Sequence, residues 1–485
     1  MWNVTLRLNN AFAHIAARPV GSLDSESKEL FETWFLPKKP LLSYLKTFLE
    51  THNIDSIHKF VINTRIGESL LEKGLMNPCA FLTTAGFENW PLMNLPVQSR
   101  FFTLYPKRTS SPINQELIFG LDEATDVNGN ITENISEQSI ETLVAKLKLN
   151  NVEDVAIGFI HSNRNKDNEF NCGKLLQEKG FNIFLSYHAD MIDSVNYSEL
   201  SRWWSAIVNA SLHSPVFEYL ENIQTALAKN LKGDILQIQN SRLENQSYDS
   251  KNYLNTCLAH HALLSKQLRK LDLLNDQSVV VHFGIEEFVA YQDNKSPRWL
   301  TNLGAILYPH DETQLLKIQP TQVIEKNIWG SAGFKFISRA SYSETFAKQI
   351  GFDPGPICLG RGMKPTFLDL LFLKNKLESV SKISDHLVPQ RKRIVLENLL
   401  SASKDAQKTE SFSDQQITDW LMEQAVHQIY LDLVKLSEYG KKKLILTGPL
   451  ASALTPDLKK YIAFETYDLS SKSTCRYFQE LIAEH

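Results

Sequence analysis

Hydrophobic positions alternate with polar ones at the start of the chain: Val4, Leu6 and Leu8 lie one residue apart, Asn9-Asn10 can turn the chain, and Ala11 to Ile15 resume the pattern. Period-two alternation around a short turn predicts a β-hairpin. Leu41 to Leu49 is apolar at helical spacing, Phe60 to Ile62 and Cys79 to Leu82 read as short buried strands, and Ser136 to Leu149 reads as a helix. Strand Val155 to Ile160, helix Leu175 to Lys179 and strand Ile183 to Leu185 continue the alternation, which predicts an α/β protein. The polar stretch 121–135, with Asn128-Gly129, reads as a surface turn.

Tyr197 to about Lys229 forms a helix-rich connector, after which a second hairpin opens at Val279 to Gly284 and returns through Glu287 to Tyr291. Two similar openings predict two related halves. Near the C-terminus, Ile417, Leu421, Ala425, Ile429 and Leu433 share one helical face, with Ser413 as cap and Gln416 completing a capping box. Gly440 is placed to end that helix, and Leu444 to Leu446 leads as a strand into Thr447-Gly448-Pro449. No tandem repeat of 20–50 residues is evident. Pattern alone supports a two-layer or three-layer α/β protein.

Composition narrows the class. With 485 residues and 43% hydrophobic positions the chain can bury substantial cores, and a net charge of −4 gives no electrostatic footprint for nucleic acid or an anionic membrane. Without a signal peptide or an eighteen-residue apolar run, cytoplasmic residence is expected. Five scattered cysteines with no CxxC pair indicate neither a disulfide framework nor a zinc ribbon. The basic run Arg391-Lys392-Arg393 reads as a solvated first turn of a helix.

The segment 351–369 has a composition that neither core nor surface dictates. Its Pro354, Gly355, Pro356, Cys358, Gly360, Arg361, Gly362, Pro365, Thr366 and Asp369 resemble a signature of the hydantoinase/oxoprolinase family, A-type subunit. Three further segments carry the same resemblance. They are Val155 to Asn165 with Glu169, where Asn168 stands for a second histidine; Ser201 to Ala210 with Pro215, Tyr219 and Leu220; and Leu70 to Gly74 with Thr83, Thr84, Gly86 and Phe87, where Asn89 replaces an aspartate.

The resemblance implies the actin-like ATPase fold of sugar kinases and Hsp70, with two related halves around a cleft. Residues 1–195 would form the family's N-terminal-like domain and 196–485 the A-like domain carrying the second half. It also implies ATP and Mg2+ as cofactors, a small cyclic amide as substrate, and hydrolysis or carboxylation as the reaction. A separate B-type subunit, or an intact A-type paralogue, would be the partner.

In that fold each hairpin turn reads Asp-x-Gly-Gly-Thr, where glycines let backbone N–H groups reach phosphate oxygens and the aspartate organises the metal. Here the first turn becomes Arg7-Leu8-Asn9-Asn10-Ala11-Phe12-Ala13-His14 and the second His282-Phe283-Gly284-Ile285-Glu286-Glu287. Two carboxylates facing a polyphosphate repel it by about 4 kcal/mol per charge pair at 4 Å and an effective dielectric near 20. The family's further glycine loops correspond to Asn255 to His261, to Trp329 to Lys335 with Gly330 and Gly333, and to Thr447-Gly448.

Gly284, Gly330, Gly333 and Gly448 are therefore the candidate nucleotide-contacting residues, and plain turn glycines on the alternative reading. His260-His261 offers metal-ligand chemistry but lacks a matching set nearby in sequence, and His282 is either a general base or a core-edge residue. Asp369 and Arg202 read as structural anchors, Asp369 as a cap of the following helix, with a site role left open. The altered turns set two readings side by side: an ATP-dependent cyclic amide enzyme subunit, or a catalytically degenerate chain that binds a partner.

Overall fold

The computed structural model describes residues 1–9, 12–21, 29–36, 39–73, 76–93, 113–187, 198–231, 236–284, 288–293, 313–318, 323–326, 334–337, 357–359, 366–377, 388–404, 413–438 and 440–484. Strands β1 (Trp2–Leu8) and β2 (Phe12–Pro19) form the first hairpin, with Leu6 opposite Ile15 and Leu8 opposite Ala13. β3 (Leu30–Phe35) extends it antiparallel, whereas β4 (Ile57–Thr64) lies parallel on the other side of β1. Val4, Leu6 and Leu8 are enclosed on one face. On the other, Thr5 and Arg7 are also enclosed, because two helices cover that side.

An inserted parallel sheet follows, built from β5 (Ala80–Thr84), β6 (Ile118–Leu121), β9 (Asp154–Gly158) and β10 (Asn182–Leu185) in the order β10-β9-β5-β6. The Asn128-Gly129 turn closes the small hairpin of β7 (Ala124–Thr125) and β8 (Ile131–Glu133), with Gly129 at φ +89°. The predicted connector is a continuous 33-residue helix, Glu199–Leu231, that carries Pro215 in its interior. Its first turns bury Arg202, Trp203 and Trp204 against the inserted sheet. Gly158 is required there, since a Cβ would lie 2.4 Å from the Trp203 ring.

β11 (Gln237–Gln239) returns parallel to β4, and β12 (Asn245–Ser247) pairs with it, completing the order β12-β11-β4-β1-β2-β3. The division at residue 195 thus falls just before a helix that packs into the first core. The second half repeats the plan. β13 (Ser278–Phe283) and β14 (Phe288–Asp293) form the hairpin, β15 (Thr313–Ile318) extends it, and β18 (Lys443–Thr447) and β19 (Glu465–Thr466) lie parallel beyond β13. The hairpin of β16 (Val323–Lys326) and β17 (Phe334–Ile337) stands apart.

Counted within each half, both sheets share the order 3-2-1-4-5 with the second strand antiparallel to the first and third, and the first sheet adds β12 antiparallel to β11 at its edge, so the two openings legible in the sequence do head related halves. The helix Asp414–Leu436 covers the second core, capped as expected by Ser413 with Gln416. Arg391 is not simply solvated: it lies in the helix Val388–Lys404 and donates to the Cys358 carbonyl at 2.7 Å. The chain ends by returning to the first half, where the helix Ser471–Glu484 lies over β1 and β2 and Gln479 donates to Thr5 Oγ1 at 2.8 Å. The five cysteines are buried and none forms a disulfide. Among the described residues no helix is long and apolar enough to cross a membrane.

Candidate functional site

The two hairpins bring their turn ends together. Phe12, the first residue of β2, packs in the core of the second half, so the tip of the first hairpin reaches across the cleft. Arg7 lies near the end of β1 and His282 near the end of β13, and the guanidinium is close enough to depress the imidazole electrostatically. Burial first, then Arg7, His261 and Arg65, push His282 down to about 3. His260 is held well below its ordinary value for the same leading reason, reinforced by Arg7 and Arg65. Both rings are neutral at physiological pH.

A hydrogen-bonded chain links the halves beside this point. Arg65, just after β4, pairs through Nε with Glu68 Oε2 at 2.8 Å, and Glu68 Oε1 lies 3.0 Å from His261 Nε2. His261 Nδ1 in turn lies 3.1 Å from the Tyr291 hydroxyl on β14. All four are buried, so charge and donors are satisfied within the network. The Cys475 thiol, pushed up to about 11 by burial, touches Arg7 from the C-terminal helix.

Gly448 stands at the end of β18, packed against the end of β13. Gly448 has φ +99°, and a Cβ there would lie 2.7 Å from Phe283 O and 2.9 Å from His282 Nδ1, so only glycine fits. Gly284 is the buried residue immediately after Phe283. Asn9 closes the first turn by donating its N–H to Phe12 O at 2.9 Å. Asn10, Ala11, Ile285, Glu286, Glu287, Gly330 and Gly333 lie outside the described residues, so two of the four candidate glycines are placed.

Several enclosed polar atoms here have no hydrogen-bond partner among the described residues: Arg7 Nε, Asn9 Oδ1, His260 Nδ1, His282 Nδ1 and Thr447 Oγ1. Thr447 is register partner of His282 across β13 and β18. Asn9 Oδ1 is an acceptor, whereas the other four atoms can each donate and suit an oxyanion. The set does not suit a divalent cation, since a guanidinium stands where the motif has an aspartate, and no group of three His, Cys, Asp or Glu side chains among the described residues could hold a metal. His260 and His261 also turn their rings 80° apart, with His261 committed on both nitrogens.

The remaining motif residues are anchors. Asp369, fully buried, accepts from the backbone N–H groups of Ile357 (3.2 Å), Cys358 (2.7 Å) and Thr366 (2.7 Å). Thr366 is the helix N-cap, so Asp369 is the third helical residue reaching back, not the cap itself. Most of the glycine- and proline-rich segment, including Pro354, Gly355, Pro356, Gly360, Arg361, Gly362 and Pro365, lies outside the described residues. Arg202 donates to Ser162 at 3.1 Å and compensates buried Glu169, which accepts from Tyr187 N at 2.8 Å and Ser186 at 2.9 Å. Asn168, in the second histidine's place, holds Glu123 at 2.9 Å, and Thr84 donates to the same carboxylate. His161 sits at φ +61° with its N–H donated to Glu199 at 2.6 Å.

Sequence reading missed Arg65, Glu68, Tyr291 and Cys475. The i, i+3 spacing of Arg65 and Glu68 was a visible pair signal, but nothing local placed His261 against it.

Residues 51–180 match the family described as the hydantoinase/oxoprolinase N-terminal region. An uncharacterized protein of Methanocaldococcus jannaschii is 24% identical over 380 residues, covering 73% of this chain and 54% of that protein, so the chain spans about half the length of this curated relative. Among solved structures, nucleotide-free acetone carboxylase, from work on ATP-dependent acetone carboxylation, aligns with a TM-score of 0.70 at 12% identity over 99% of this chain and 70% of its own. The ATP-dependent caprolactamase of Pseudomonas jessenii aligns with a TM-score of 0.64 at 13% identity over 98% and 70%. These likenesses and the paired 3-2-1-4-5 sheets give the chain an α/β, actin-like ATPase fold.

Proposed function

We propose that this chain, whose residues 51–180 match the hydantoinase/oxoprolinase N-terminal region, is an A-type-like subunit of that family serving ATP-dependent hydrolysis or carboxylation of a small cyclic amide. The observation that carries this reading is the glycine-only position at Gly448, where β18 ends against β13. Gly448, held at φ +99° against Phe283 O and the His282 ring, marks the turn end of the second hairpin, where the resemblance puts a nucleotide. Gly330 and Gly333 are proposed to complete the nucleotide contact.

In this reading the γ-phosphoryl group of ATP would pass to the substrate's amide or enol oxygen with ADP leaving, and the primed substrate would then be attacked at carbon by water in hydrolysis or, in carboxylation, would react through carbon with a carboxyl donor, with phosphate released. Arg7 supplies positive charge toward the phosphates, and His282, kept neutral, can donate a hydrogen bond from Nδ1. The partner proposed is a B-type subunit or an intact A-type paralogue, and residence is cytoplasmic.

A second reading is favoured by one observation, the buried Arg7 in place of the motif's aspartate. It makes the chain a catalytically degenerate scaffold that stabilises its partner. Calorimetric titration of the purified protein with Mg-ATP and Mg-ADP separates the two. Saturable micromolar binding is expected. Absence of binding at millimolar nucleotide overturns the ATP-dependent reading and leaves the scaffold, whose own test is a stable complex with the partner subunit on gel filtration.

A further inference from the structure

The residue at the end of β1 inverts the charge that the surrounding fold places there. Arg7 is 4% exposed, and its Nε has no acceptor among the described residues. No ion pair to it is found among those residues; its neighbour is the Cys475 thiol, a weak partner. Burying a guanidinium without a carboxylate is costly, and such a charge is ordinarily paired or bound to an anion.

Its surroundings repeat the deficiency. His260 is 6% exposed and Thr447 fully buried, yet His260 Nδ1 and Thr447 Oγ1 are unpartnered, as is the enclosed Nδ1 of His282. Glu68, the carboxylate that acts on His260, is already engaged by Arg65 at 2.8 Å and His261 at 3.0 Å. One fixed cation, one hydroxyl donor and two rings that can each present N–H at Nδ1 form a complete donor set for a tetrahedral oxyanion. They come from four elements, β1, β13, β18 and the helix Ala259–Lys270.

We propose that this cluster binds a phosphoryl oxyanion directly through Arg7, His260, His282 and Thr447, with the arginine in place of a divalent cation. The proposal rests on the nucleotide reading only for the source of the phosphate. A metal brought beside Arg7 would face like charge, whereas a phosphate supplies the acceptors that all four atoms lack. Burial and the neighbouring arginines keep both rings neutral in the absence of the anion, so they contribute as hydrogen-bond donors.

The test is calorimetric titration of the intact chain with tripolyphosphate and with ATP, each in EDTA and again in excess Mg2+. Tripolyphosphate is expected to bind saturably in EDTA, with Mg2+ giving no gain in affinity. Arg7→Gln is expected to weaken that binding at least about tenfold, the loss of a charge-assisted contact. Binding that requires Mg2+, or an affinity unchanged in Arg7→Gln, overturns the proposal. Should Arg7→Gln fail to fold, the EDTA comparison on the unaltered chain still decides. ATP binding abolished by EDTA sinks this inference and keeps the nucleotide reading. Tripolyphosphate binding without ATP binding does the reverse, and no binding of either overturns both.

Discussion

Replacing Gly448 by alanine tests the packing at the end of β18 most directly. Two costs are separable. At φ +99° an L-residue is strained by about 1–2 kcal/mol. The new methyl would also stand 2.7 Å from Phe283 O and 2.9 Å from the His282 ring. Phe283 O cannot retreat freely, because it accepts the Leu450 N–H at 3.0 Å. Overpacking of this kind costs about 1–3 kcal/mol, giving about 2–5 kcal/mol in total.

Gly440 provides the control, with φ +87° and nothing within 4 Å of a Cβ, so Gly440→Ala carries only the backbone cost. Urea unfolding followed by tryptophan fluorescence should therefore show Gly448→Ala destabilised by about 1–3 kcal/mol more than Gly440→Ala. Equal destabilisation would refute the argument that close approach, and not φ alone, demands glycine at position 448.

Acid should weaken the fold through His282. Its folded value of about 3 lies below the ordinary 6.5, so the unfolded chain binds more protons in that window, and stability present above pH 6.5 is lost as pH falls toward 3. From pH 7.5 to 5.5 this ring alone removes about 1.4 kcal/mol, and His282→Gln should flatten the slope by that amount; an unchanged slope in unfolding curves would count against a buried neutral ring. Asp369→Asn puts an amide donor among three backbone N–H groups and should cost about 2–3 kcal/mol, read as a lowered urea midpoint; a neutral outcome would show that the carboxylate does not hold the 357–366 segment. Ser413→Ala removes the acceptor for Gln416 N and should cost about 1 kcal/mol, with Ser413→Asp restoring most of it in the same assay.

Much of the framework was legible locally. The alternation at Val4, Leu6 and Leu8, the helix faces from Ile417 to Leu433 and the capping box at Ser413 all reappear, because periodicity and capping are set by a few neighbouring residues. The resemblance carried by the 351–369 and 155–169 segments pointed to the fold that the paired sheets display. The glycine at 448 was marked as a site candidate, but its close contact with Phe283 and His282 could not be read from the chain, where they lie far from it.

Tertiary structure alone decided the electrostatics of the cleft. Glu68 and His261 stand 193 positions apart, and only the packing of the helix Ala259–Lys270 against the first half joins them to Arg65 and Tyr291. Arg7 read from sequence is a lost metal ligand; in the fold it is a buried cation among unpartnered donors. Sequence order fixes which side chains exist and which face of a strand they take. Whether a charge is paired, solvated or left waiting for an anion depends on what the other half of the molecule places against that face, and that is settled only when both halves close on one another.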